Sequence, residues 1–314
     1  MKPATDENLR GPHATNNEPT WMTVVRLLRW DKPAGRLILM IPALWAVFLA
    51  TLSYRLAGET AQRFPDWPLI GVVILGTLAT SAGGCVVNDL WDRDIDDKVE
   101  RTKNRPLAAK ALSVKIGIVV AFISFFCAWI LANYLTPLSF WLCVAAVPVI
   151  VLYPLAKRIF PVPQLVLSIA WGFAVLISWS AVTGTVEFAT WLLWTATVLW
   201  TLGFDTVYAI PDREFDRQLG INSSALFFGS RAPQAVGLFF IGTILMLVWL
   251  GLTLPLGIFY WLSLLVSGYL WYRQYIQLAR IPKSPQVFGN IFKQNVTIGF
   301  ILLAGMALSV ILNI

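Results

Sequence analysis

The sequence predicts an all-α, polytopic membrane bundle of about nine transmembrane helices, and three observations carry that expectation. Hydrophobic residues make up 57% of the 314 and charged residues only 13%, against about 25% charged in soluble globular proteins; mean hydropathy is +0.69. Apolar runs near the roughly 20 residues that cross a bilayer recur at 37–54, 69–88, 114–133, 137–155, 164–183, 188–208, 234–254, 256–272 and 296–313. Of the 24 Lys and Arg residues, all but Arg55 and Arg63 fall in segments that a nine-span count puts on the amino-terminal side. Basic loops mark the cytoplasmic face. That bias favours nine spans over eight, although only "LPLG" separates 234–254 from 256–272. It also places the amino terminus in the cytoplasm and the carboxyl terminus outside.

Residues 1–20 are polar, carry three prolines before Thr20 and have no apolar core. They read as a disordered tail rather than a signal peptide, leaving a single transmembrane domain over 21–314. The only histidine, His13, lies in that tail, so histidine catalysis or ligation is not expected. Cys85, Cys127 and Cys143 sit inside apolar runs at spacings that suit neither zinc nor a disulfide framework. The net charge of +7 is spread over membrane loops, which argues for a lipid bilayer and against nucleic acid as the partner; no obligate protein partner is evident. Ahead of the first span, Trp21, Val24, Val25, Leu28 and Trp30 recur at helical spacing beside Arg26 and Arg29, the pattern of an interfacial amphipathic helix or of a simple flank to that span.

The second span runs directly into "NDLWDRDIDDKVERTKNRPLAA". A continuing helix puts Asn88, Asp92 and Asp96 on one face with Asp89 beside them. After the sixth span, Asp205, Tyr208, Asp212 and Asp216 recur at spacings of three and four, again one face of a helix. "DRDID" (92–96) and "DREFD" (212–216) each close a helix of the same orientation, which suggests an internal duplication of a four-helix unit.

Carboxylates this close repel one another, and a charge near the bilayer centre costs about 2.5–3.5 kcal/mol on insertion scales. Hard divalent cations between the clusters would offset that charge, and Mg2+ fits best because it takes oxygen ligands and bridges carboxylates to phosphates. Arg93, Lys98, Arg101 and Arg105, with Lys157 and Arg158 in "YPLAKRIFPVPQ", could then hold the remaining phosphate oxygens. The alternative is a solvated loop whose acids pair with Arg93, Lys98, Arg101, Lys103 and Arg105.

These motifs resemble those of the UbiA superfamily of intramembrane aromatic prenyltransferases, N-D-x-x-D-x-x-x-D followed by D-x-x-x-D, read here as Asn88, Asp89, Asp92, Asp96 and as Asp212, Asp216. "RLLRWDKPAGRLILMIPALWA", "DRDIDDKVERTKNRPL", "YPLAKRIFPVPQLVL" and "DTVYAIPDREFDRQLGINSSALFFG" are similar to the 4-hydroxybenzoate polyprenyltransferase branch, from Leu27 onward. "FKQNVTIGF" matches more loosely. The resemblance implies that Mg2+ on those six residues binds the diphosphate of a polyprenyl donor, and that the carbon ortho to the acceptor's hydroxyl attacks the allylic cation. It further implies Asp92, Asp205 and Asp212 as catalytic groups, Arg158 or Arg105 on the acceptor carboxylate, and Tyr208 lining the site. The expected location is a bacterial inner or thylakoid membrane, with the product entering ubiquinone or plastoquinone synthesis. Other acceptors (homogentisate, dihydroxynaphthoate, haem, chlorophyllide) share the same metal chemistry. A cation-coupled transporter would also carry intramembrane acids and a duplication.

Overall fold

A computed structural model describes residues 19–32, 34–99, 102–280 and 285–312. Twelve α-helices follow one another: α1 (Thr20–Leu27), α2 (Ala34–Leu56), α3 (Trp67–Asp96), α4 (Val114–Ala132), α5 (Pro137–Ile159), α6 (Pro163–Thr183), α7 (Phe188–Ala209), α8 (Arg213–Leu219), α9 (Ser224–Phe228), α10 (Ala232–Thr253), α11 (Ile258–Ala279) and α12 (Pro285–Ile311). No strand occurs among the described residues. Nine of these helices have 19 residues or more and match the nine apolar runs one for one. Seven are long and apolar enough to cross a membrane by length and composition. The two long helices outside that set, α7 and α11, are rich in Trp, Tyr and polar residues, including Asp205 and Gln274. Their place as spans therefore rests on length and on position in the bundle.

Boundaries follow local chemistry. Asp66 caps α3 by accepting the Leu69 amide at 3.3 Å, Ser113 caps α4 through Ile116, and Thr136 caps α5 through Ser139. With no Gly or Pro between Gly84 and Asp96, α3 runs past the apolar stretch and carries its acids on helical backbone. The second cluster departs from the expected single helix. Pro211 lacks an amide hydrogen and restricts the residue before it, so α7 stops at Ala209, a 3-10 turn spans Ile210–Asp212, and α8 starts anew.

The middle of the bundle is α2, which packs on α6, α12 and α3, while α7 packs on α10, α6 and α12. Pairing repeats along the chain: α3 lies on α4 as α7 lies on α10, and α5 on α6 as α11 on α12. Trp45 of α2 stacks on Trp200 of α7 with centroids 5.0 Å apart. Beside them Asn295 accepts from the indole N–H groups of Trp200 and Trp271 at 2.9 and 3.0 Å and donates to Gln274 at 3.1 Å. Such satisfied polar contacts join helices where lipid supplies no hydrophobic drive between them. The outer faces of α4 (Ile118, Phe122, Phe126), α10 (Leu238, Ile241, Leu252) and α11 (Leu265) are exposed and apolar, as lipid contact demands. The amphipathic α1 uses Leu27, Val24 and Leu28 to pack beside Val86 and Leu107, leaving Trp21 exposed.

Close approach of α11 and α12 depends on Gly305. A methyl group there would meet the Phe259 carbonyl oxygen at 2.8 Å as well as the Ser263 side chain. Gly305→Ala should therefore destabilise by about 1–3 kcal/mol through overpacking. Gly71→Ala, in open space on α3, should be neutral or stabilising by under about 1 kcal/mol. Thermal unfolding in detergent distinguishes them, and equal midpoints for the two variants would refute this packing.

Candidate active site

The charged end of α3 forms a buried acid face. Asn88, Asp89, Asp92 and Asp96 are 8, 2, 3 and 6% exposed, so the solvated-loop alternative does not hold. Three elements supply the partners. Tyr153 of α5 donates its hydroxyl to Asn88 Oδ1 at 2.9 Å. One turn later Lys157 reaches Asp92 Oδ2 at 2.6 Å. Arg105, from the loop after α3, bonds Asp96 at 2.6 Å and Asp89 at 3.3 Å. Arg29, just beyond α1, reaches Asp89 at 2.6 Å. Arg29 holds a left-handed backbone (φ 54°) that non-glycine residues adopt uncommonly. Burial opposes its charge, and the Asp89 carboxylate outweighs that opposition, so its guanidinium titrates well above the usual range.

Sequence reasoning named Arg105 and Lys157 as phosphate contacts; the structure pairs both with the acids. It missed Arg29 and Tyr153. Tyr153 carried a signal, the four-residue spacing to Lys157 in "YPLAK". Arg29 looked like one more loop charge. Arg93 pairs with the exposed Asp94 at 3.2 Å, Lys98 is exposed, and Arg158 is exposed and donates to the Trp91 carbonyl at 3.0 Å. These three stand apart from the buried face. Arg101 lies outside the described residues, as does the stretch 1–18 of the expected tail.

The second cluster lies at the same end. The Asn222 amide, beyond α8, donates to the Lys157 carbonyl at 2.8 Å, and the Ser224 amide to Gln164 at 2.7 Å. Asp212 occupies the 3-10 turn and Asp216 lies in α8, both half-buried. Asp205 and Tyr208, on α7, line a cavity, and the Tyr208 ring packs on Phe292 at 5.2 Å.

That cavity holds about 850 Å³ and is walled mainly by apolar side chains of α2 to α7 and α12. On α3 its lining runs from Val72 to Cys85, about 20 Å at 1.5 Å per residue. Arg29 and Tyr153 line it and also bond the acid face, so the two are one site.

Asn88, Asp92 and Asp96, at i, i+4 and i+8, stand about 6 Å apart along the helix, and among the described residues no three acidic, Cys or His side chains form a ready metal cage. All the donors are hard oxygens. This suits Mg2+, which binds through one or two carboxylates and completes its shell with phosphate and water rather than an all-protein cage.

Fold and site define a multi-pass integral membrane protein with a charged catalytic-type end over a long apolar chamber. The chain belongs to the UbiA prenyltransferase family, whose model matches residues 39–296. It is 66% identical over 293 residues to a 4-hydroxybenzoate solanesyltransferase of Synechocystis sp., covering 93% of this chain and 97% of that one. Among solved structures it resembles the apo UbiA homolog from Aeropyrum pernix K1, with TM-score 0.73, 23% identity, and 85% of this chain and 96% of that chain covered. It also resembles a UbiA homolog from Archaeoglobus fulgidus bound to GPP and Mg2+, with TM-score 0.63, 20% identity and coverage of 90% and 99%.

Removing one member of a buried charge pair strands the other. Lys157→Met should lower the unfolding midpoint in detergent, and Asp92→Leu in the same chain should recover part of the loss through a coupling of about 0.5–3 kcal/mol. Strict additivity of the two single variants would show that the 2.6 Å contact does not bear on stability.

Proposed function

We propose that the chain transfers a polyprenyl group from polyprenyl diphosphate to the ring carbon ortho to the hydroxyl of 4-hydroxybenzoate, releasing diphosphate, in quinone biosynthesis. The observation that carries this reading is the shared membership of Arg29 and Tyr153 in the acid face and in the apolar cavity. The 66% identity to a 4-hydroxybenzoate solanesyltransferase supports the acceptor. A diphosphate head needs charge, an isoprenoid tail needs a dry channel, and here they adjoin.

Asn88, Asp89, Asp92 and Asp96, with Asp212 and Asp216, would hold Mg2+, as the Archaeoglobus homolog's complex with GPP and Mg2+ suggests. When bound, the metal supplies Lewis-acid stabilisation of the leaving diphosphate. Lys157, Arg105 and Arg29 neutralise the same carboxylates in its absence and can turn to phosphate oxygens when the acids engage metal. The allylic carbon–oxygen bond breaks with its electron pair going to diphosphate. The cavity wall keeps water from the allylic cation. Asp205 accepts a hydrogen bond from the acceptor hydroxyl and enriches the ortho carbon, a new carbon–carbon bond forms there, and the ring proton passes to the released diphosphate. Tyr208 bounds the aromatic ring. The amino terminus and this site face the cytoplasm, following the basic loops, in a bacterial inner or thylakoid membrane. Family membership leaves the transporter reading without support.

Membranes carrying the protein should form 3-polyprenyl-4-hydroxybenzoate from 4-hydroxybenzoate, a prenyl diphosphate and Mg2+, detected by mass. No product with any donor, from folded protein, would overturn the assignment. Asp92→Ala and Asp212→Ala should each lower turnover at least about a hundredfold, the loss expected when a group stabilising transition-state charge is removed. Chelator should abolish transfer and Mg2+ restore it. Undiminished transfer in chelator would remove the metal from this account. Thr77→Trp, placing bulk in the cavity wall, should shift acceptance toward shorter donors, read as the ratio of products from a mixture of chain lengths.

A further inference from the structure

One cation at the cavity is unmatched. Arg36, in the first turn of α2, lines the cavity and is 6% exposed. Its Nε and Nη2 are buried and have no hydrogen-bond partner among the described residues. Among the described residues no acid forms a salt bridge with it, although Asp31, exposed and also lining the cavity, is a neighbouring negative charge; its guanidinium carbon lies 5.2 Å from the centroid of the Trp30 ring. The other cavity cations differ. Arg29 is bonded to Asp89, while Lys32 and Lys293 are exposed. Buried donors without partners cost about 1–3 kcal/mol, more for charged groups, so a guanidinium left this way has a ligand to receive.

The two open atoms also indicate what kind of ligand. Nε–H and Nη2–H form one edge of the guanidinium, two parallel donors that match the two oxygens of a carboxylate. The cation lies over the Trp30 ring, an attraction that helps hold the guanidinium in place. A diphosphate would seek the acid face and its metal, where Arg36 makes no contact. The cavity lining also carries Asp205, suited to a hydroxyl and repellent to a second carboxylate.

We infer that Arg36 is the residue that binds the carboxylate of the aromatic acceptor, in place of Arg158 or Arg105, and so orients the ring. This rests on the reaction proposed above. Arg158 is exposed and turned to Trp91, and Arg105 is held by Asp89 and Asp96. Arg36 thereby selects acids over neutral phenols of the same shape.

The test compares the wild type with Arg36→Gln and Arg36→Lys in the full chain in detergent or membranes. Arg36→Gln should raise the KM for 4-hydroxybenzoate about ten- to hundredfold, the range a charge-assisted bidentate contact supplies, with the KM for prenyl diphosphate within about twofold. Preference for 4-hydroxybenzoate over the neutral 4-hydroxybenzamide should fall by a similar factor. Arg36→Lys, which keeps charge without the fork, should lie between. An unchanged acceptor KM with the preference retained, or a rise confined to the donor KM, overturns the inference. Calorimetric titration of 4-hydroxybenzoate without donor separates it from the reaction: binding that is strong in wild type and weak in Arg36→Gln supports Arg36 even if no transfer occurs. Equal binding by both, or none by the wild type, overturns it whatever the activity. Should Arg36→Gln fail to fold, Arg36→Lys carries the same comparisons.

Discussion

Three carboxylates on one face of a helix inside an apolar bundle must be matched by positive charge, and most of the charged end follows from that demand. Asp89, Asp92 and Asp96 are nearly sealed from solvent, so each needs a cation from another element. The chain draws these from the turn after α1, the loop after α3 and the last turn of α5. Those contacts pin the segment after α1, the loop after α3 and the end of α5 over the same helix end. Ion pairs of this kind can be exchanged for other charges without opening the core, which packing contacts cannot.

Below that end, the two halves of the bundle differ in density. The main core gathers α2, α6, α7, α10, α11 and α12 around Trp45, Trp200 and Trp271. Between α2 and the α3 to α6 wall lies the cavity, and α4 and α5 bury little of their own surface. A rigid side and a hollow side suit a protein that holds reacting groups in fixed positions while admitting a long flexible chain. The Asn295 and Gln274 network keeps the rigid side in register where apolar packing alone would permit sliding.

Much of this was legible in the residues. Span number follows from hydropathy and length, and the acid face of α3 from a spacing of four that only a helix brings together. The resemblance of the motifs led to the family. Other features were hidden for physical reasons. Pro211 converts an apparent continuous face at 205–216 into a turn and a new helix, and spacing cannot show where a helix tightens. Arg29 and Arg36 read as cytoplasmic loop charges, since positive-inside bias accounts for any basic residue near a span. Their roles emerge only when α1 folds back on α3 and when burial reveals which guanidinium lacks an acid. Conversely, Arg93 and Lys98 fit the motif by proximity in sequence, yet helix geometry turns them outward.

The position of α2 bears on how the protein is made. It precedes the other long helices of this sequence and is the most enclosed of the seven that are apolar enough to span, and its Trp45 donates to the carbonyl of Gly299, 254 residues later. Until α12 has entered the membrane, the inner face of α2 has lipid or insertion machinery for company and its indole lacks that acceptor. The centre is therefore completed only when α12 packs, and a chain that has not yet inserted it carries the hydrophobic segments for most of the bundle without the contact that joins its earliest long helix to a much later one.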